Sequence, residues 1–429
     1  MFGFANFLLL ALFAAAVFDL IFALARGGGL RGALHGLWNT PHLLFGQQLA
    51  EWRLQLGRIL FAAGLAAYEI SVVFCNSMAR QNWAWVQGVM SPVLEWLAFL
   101  CFGAKILFGT RYTWRELLAG GALYFIARWV YFNSQNIWWI GIVVAVLAAK
   151  DVPLRRPLQV YFASGCAAMA VVLALHFAGI VAPDLTSERM GALRGTYGYG
   201  HPNTFGGLVF GLVLAYALLR AQKVRWVDCL LVFAVGVFLL VGPASRSAAL
   251  CTLALAVGLV FCRLRAGHSV PRWWPGTCAG MVGLTAAVSY LLPLLVIKVG
   301  PWNNDIGPAW LAKLDSLLPC RISLTWMAYR LLDVKIAGQV FNWPTVDNSF
   351  AFALFQFGPV VAALLGILFA AALWGHAKQG RRVEVCCLFA MLAYAYMEVQ
   401  PFHLTTNPTA LLLCGAVFAQ TSARWQKIE

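Results

Sequence analysis

The chain has 429 residues, of which 62% are hydrophobic and only 11% charged, with a mean hydropathy of +0.76. That balance excludes a soluble globular protein. The net charge of +15 would suit a nucleic-acid binder, but the cations are scattered through short connections between apolar runs, where topology and anionic lipid headgroups account for them.

The N-terminal stretch MFGFANFLLLALFAAAVFDLIFALARGG has no basic residue ahead of its apolar run, so it reads as a retained first helix rather than a secretory signal. About 13 apolar runs recur along the chain, centred near residues 14, 65, 100, 125, 143, 169, 212, 234, 255, 287, 361, 391 and 413. The predicted fold is all-α: a single polytopic bundle of about 12–13 transmembrane helices spanning residues 1–429, with no repeat or soluble insertion. Alternating basic connections place residues 26–54, 110–115, 150–157, 220–226, 263–275, 374–382 and the C-terminal tail on the inner side. The outer set is then 76–91, 134–136, 181–204, 243–247, 298–348 and 399–408. The eleven cysteines show no C-x-x-C spacing and lie mostly in apolar runs, as small fillers; Cys75 and Cys320 face outward without an evident pairing.

Some charges fall inside the expected spans. Glu69, Glu95 and Arg128 are expected either to clamp three helices together or to line a proton or substrate pathway. Asp19 and Lys105 sit near inner helix ends, where snorkelling explains them.

Arg194, Arg246, Arg321 and Arg330 oppose the positive-inside pattern, which marks them as candidates for chemistry. Arg194 opens the run Arg-Gly-Thr-Tyr-Gly-Tyr-Gly-His-Pro-Asn ending at Asn203, with His201 and Pro202 at the start of a helix. An arginine beside a helix N-terminus can cradle a phosphate or pyrophosphate. Ser245 and Arg246 lie in a tight outer turn and offer further donors, or simply snorkel. The long connection 298–348 has helical spacing over AWLAKLDSLLPCRISLTWMAYRLLDVKI and reads as amphipathic helices at the outer surface. It carries Arg321 and, nine residues on, Arg330. It ends at Asp347-Asn348-Ser349-Phe350, where Asp347 or Asn348 is either the N-cap of the next helix or, for Asp347, a general base facing anionic substrate.

These segments, in this order, resemble the polysaccharide polymerase and O-antigen ligase superfamily over roughly residues 155–420. The matching features are Arg194 to Asn203, Ser245-Arg246, Arg321 followed by Trp326, and Asp347-Asn348-Ser349-Phe350. The resemblance implies glycosyl transfer on the outer face of a bacterial cytoplasmic membrane, between a polyprenyl-pyrophosphate-linked oligosaccharide donor and a lipid-linked acceptor. Membrane lipids, a flippase and a chain-length regulator are its implied partners, and it implies no cofactor. Asp347 and Arg321 would be catalytic, with Arg194, Arg246, His201, Asn203, Ser245, Arg330 and Asn348 holding substrate.

The sequence has Asp347 where ligases carry histidine, and Ala337-Gly338-Gln339-Val340 where a Gly-x-Gly often stands. Both departures favour a repeat-unit polymerase over a ligase-type transferase. His201 and His403 are the next candidate bases after Asp347. No Asp-x-Asp metal signature occurs on an outer connection, so arginines would neutralise the pyrophosphate leaving group, with inversion if a single carboxylate acts. A non-catalytic flippase or permease is the rival reading, against which stand the missing internal repeat and the gathering of polar groups on one face.

Overall fold

The computed structural model describes residues 2–25, 29–46, 48–181, 187–189, 192–297, 306–318 and 320–418. The tail cations Arg424 and Lys427, and parts of both long connections, lie outside the described residues. The chain folds as an all-α bundle. Its first half comprises α1 (Phe2–Ala25), α2 (Gly29–Asn39), α3 (Ala50–Cys75), α4 (Ala79–Asn82), α5 (Ser91–Phe108), α6 (Trp114–Ser134), α7 (Ile137–Ala148) and α8 (Arg155–Phe177). Next come α9 (Pro202–Leu219), α10 (Trp226–Val241), α11 (Arg246–Leu264) and α12 (Trp274–Leu291). Then follow α13 (Ala309–Leu317), α14 (Arg321–Leu331), α15 (Ser349–Phe352), α16 (Pro359–Lys378), α17 (Arg382–Met397) and α18 (Cys414–Val417). Two short antiparallel pairs, His42–Leu43 with Arg111–Tyr112 and Ser187–Arg189 with Ala192–Arg194, are the sheets among the described residues.

Among the described residues, eight helices are long and apolar enough to cross a membrane, which makes this a polytopic membrane protein. Each expected centre falls within a helical segment, but several of these are too short to span alone. The clearest is α7: its 12 residues reach only about 18 Å against a hydrocarbon core of about 30 Å. Every residue from Trp139 to Ala148 is buried, so α7 is an inner helix wrapped by longer ones.

Local sequence sets the helix starts. Thr113 and Glu116 form a capping box on α6, Asn136 caps α7, and Pro202 and Pro359 occupy first turns whose missing N–H costs nothing. Hydrogen bonds then gather the connections into two sets at opposite ends of the bundle. At one end Arg53 donates to the carbonyls of Leu44, Gly46 and Phe108, Lys105 to that of Lys150, and Arg382 to that of Arg265. At the other, Met78 N–H donates to Gly198, Asn82 to the carbonyl of Ile180, and Ser349 to the carbonyl of Glu398.

Several expectations are corrected. Glu69, Glu95 and Arg128 form no clamp among the described residues: Arg128 donates to Asn6 and lies 4.6 Å from the Phe132 ring, while Glu69 is buried without a salt bridge. Lys105 does not snorkel; it is wholly buried and donates to Thr110 (2.5 Å) and Lys150 O (2.7 Å). Asp19 is also buried, 3.4 Å from His42. Helix α14 does not lie with a solvated polar face: Arg321, Ser323 and Thr325 are buried along with Ile322 and Ala328, while Arg330 and Leu331 are exposed.

Helix α9 is packed on a glycine face. A methyl at Gly211 would stand 2.6 Å from Thr405 O and 2.9 Å from Thr406 Cα, both backbone atoms that cannot rotate away. Gly211→Ala should therefore force the 405–406 turn outward and lower the melting temperature in detergent, as overpacking that costs about 1–3 kcal/mol does. Gly280→Ala, with open space around it, serves as the unaffected control. Equal melting of the two variants would show that this contact does not constrain the bundle.

Candidate active site

The α9 start is fixed first. Gly198 adopts φ +81° with His176 Cβ 3.0 Å from where a methyl would point, so only glycine fits there. The chain then turns through His201, whose Nδ1 accepts from Asn203 N–H (3.1 Å) and caps α9. The Gly242–Ser245 turn brings the start of α11 alongside, with Ala244 held in the left-handed region at φ 49°.

Between these two helix starts a polar network runs through Asn203. Arg194 Nη2 donates to Asn203 Oδ1 at 3.0 Å and to the Ala244 carbonyl at 3.1 Å, and Ser245 Oγ lies 3.5 Å from the same Oδ1. Asn203 Nδ2 in turn donates to Glu398 Oε1 at 3.0 Å. That oxygen also receives Ser247 Oγ at 3.0 Å and Arg321 Nη2 at 3.3 Å. Arg321 completes the chain: Nη1 meets Asp347 Oδ2 at 2.5 Å and Nε donates to the Met397 carbonyl at 2.6 Å. Four segments far apart in sequence thus meet around one buried glutamate.

Glu398 is the residue that sequence reasoning missed. It follows α17 directly and is 4% exposed, so burial pushes its carboxyl above the ordinary range, with Arg321 pulling the other way. The usable signal was a different one from the misplaced arginines: the cost of placing a carboxylate at the end of an apolar run. Its presence also removes the premise of a single carboxylate at the site.

Asp347 and Asn348 have different roles in the fold. Asn348 Oδ1 accepts from the N–H groups of Phe350 (2.9 Å) and Ala351 (3.2 Å) and is the N-cap, while its Nδ2 donates to Ser289. Asp347 caps nothing. Its side chain is 24% exposed and bound to Arg321, leaving it accessible while Glu398, at 5%, is not.

The remaining candidates separate. Arg246 opens α11 between Ser245 and Ser247, both in the network, yet its own side chain is exposed. Arg330 is exposed over the Trp326 ring at 5.5 Å and stands apart from the network. His403 packs its ring 3.9 Å from that of Trp138, and burial pushes its imidazole down to about 4.

Two helices, α9 and α11, aim their N-termini at the cluster, and their dipoles favour an anion there. With Asp347 accessible beside them, the site can hold a negatively charged group and accept a proton from a neighbouring one. Comparison with protein-family models, with curated proteins and with solved structures finds no match.

The buried Arg321 ties two carboxylates, and deleting it would strand both. Arg321→Ala should destabilise the protein by about 3–5 kcal/mol, the usual cost of leaving a buried charge uncompensated. Adding Glu398→Gln should restore part of that loss. Thermal unfolding in detergent measures both, and a parental melting temperature for Arg321→Ala would show that the ion pair contributes nothing.

Proposed function

We propose that the protein is an integral-membrane glycosyltransferase that joins polyprenyl-pyrophosphate-linked oligosaccharide repeat units. The reading rests on the resemblance of four ordered segments and on one observation: those segments are joined by hydrogen bonds around Glu398, leaving Asp347 as the accessible carboxylate.

In this reaction Asp347 takes the proton of the acceptor hydroxyl. The hydroxyl oxygen bonds to the anomeric carbon of the donor glycan as the bond from that carbon to the pyrophosphate oxygen breaks. Attack and departure on opposite faces of the sugar give inversion. Glu398 is too enclosed to form a covalent sugar intermediate and instead orients Arg321, Asn203 and Ser247. Arg321 is a positioning residue: it aims Asp347 and leaves Oδ1 available. Arg246 and the two helix N-termini take the charge that develops on the departing pyrophosphate.

Asp347→Asn should abolish glycan elongation while leaving expression and membrane insertion intact, since Asn348 alone caps the helix. The measurement is the length distribution of lipid-linked and surface glycan in a deletion strain carrying the variant. Parental chain lengths would remove Asp347 from the chemistry. Long lipid-linked chains that fail to reach their final acceptor would instead indicate ligase-type transfer.

Arg246→Lys should impair elongation nearly as much as Arg246→Ala, because a planar guanidinium meets two phosphate oxygens and an ammonium meets one. Full elongation by the Lys variant would show that charge alone suffices at this position.

A further inference from the structure

Helices α9, α11 and α17 carry site groups at one end. At the opposite end the same three helices border two adjoining cavities, of about 300 and 460 Å³. Lys223, Arg381 and Glu384 line both; Arg155 and Arg220 belong to the first, Arg263 and Arg382 to the second. Six cations therefore face one carboxylate. Two of the six are engaged: Arg220 with Asp228 at 3.1 Å, and Arg382 with the carbonyls of Arg265 and His268. Arg155, Lys223, Arg263 and Arg381 form no ion pair with any described residue.

Like charges gathered at one depression repel one another, and a fold that sets six cations there against the single lining carboxylate Glu384, four of the six in no ion pair among the described residues, is suited to a polyanion. The floor of the smaller cavity is of the other kind: Leu154, Leu158, Leu218, Leu219 and Leu412. A free phosphate has no use for leucines. An amphiphile does, with its phosphates on the basic rim and its chains along the apolar floor.

We infer that this depression is a binding site for an anionic glycerophospholipid, and that its two adjoining cavities suit a headgroup bearing two phosphates. The ligand spans the ends of α9, α11 and α17, so its occupancy braces the helices that hold Asn203, Ser247 and Glu398 at the far end. The inference does not depend on the reaction proposed above.

The test uses the purified full-length protein in detergent, with native mass spectrometry and thermal unfolding as readouts. Tetraoleoyl cardiolipin, dioleoyl phosphatidylglycerol, dioleoyl phosphatidylcholine and inorganic pyrophosphate are added separately. Cardiolipin should be retained and should raise the melting temperature; phosphatidylcholine should do neither. The triple variant Arg155→Gln, Lys223→Gln, Arg381→Gln should lose affinity by about fivefold per cation removed, on the order of a hundredfold in all. Because Arg381 is half-buried, the double variant Arg155→Gln, Lys223→Gln, at two exposed positions, provides the same reading without disturbing packing. Gln substitutions at Arg31, Arg58 and Arg272, exposed and outside the depression, should leave binding unchanged. Equal loss in that control would show general surface attraction and overturn the site. Stabilisation by pyrophosphate as strong as that by cardiolipin would replace the lipid with a free polyphosphate. Equal retention of phosphatidylcholine would also overturn the inference.

Discussion

The site depends on one arginine held between two carboxylates. Bringing the Arg321 guanidinium and the Glu398 carboxylate out of water costs several kcal/mol for each ion, and their attraction offsets it only if the remaining hydrogen-bonding positions are filled. They are filled from every direction: Asn203 and Ser247 on Glu398, the Met397 carbonyl and Asp347 on Arg321. These donors and acceptors come from α9, α11, α14, the residue after α17, and the segment entering α15. None of these elements can shift without uncovering a buried charge, so the ion pair fixes the relative positions of the helix ends.

That constraint explains why the first turns of α14 bury Arg321, Ser323 and Thr325. A helix lying on a membrane surface would bury Leu331 and expose Arg321. Here Arg321 is drawn in by two carboxylates, Asp315 caps the helix start by accepting from Ile322 and Ser323 N–H, and Leu331 is left exposed. Electrostatics within the network outweigh the transfer of one leucine side chain, worth about 1.5–3 kcal/mol.

The bundle was legible in the sequence because apolar runs and cation alternation are local signals. The helix start at Pro202 was similarly legible, as a residue suited to a first turn. Partnerships across helices were not. Arg128 could not be matched to Asn6 rather than to Glu69 or Glu95 from spacing alone, since the choice depends on how α1 packs on α6. Lys105 illustrates the same limit: a lysine near a helix end normally reaches for water, but the Lys150 carbonyl and Thr110 satisfy its ammonium inside. In the candidate site the arginines were visible because they break a topology pattern. Glu398 stayed hidden because acidic residues contribute little to that pattern.

The arginines of the cluster are not equally enclosed. Arg321 is committed to both carboxylates, and Arg194 to Asn203 and Ala244, whereas Arg246 is exposed at the first turn of α11. The dipoles of α9 and α11 add partial positive charge at the same place. An anionic ligand arriving there would meet the exposed guanidinium without disturbing the buried network. In the proposed reaction, anion binding and proton acceptance fall to different groups, the exposed Arg246 and the partly exposed Asp347. The buried arginine between the carboxylates serves to keep the second of these in place.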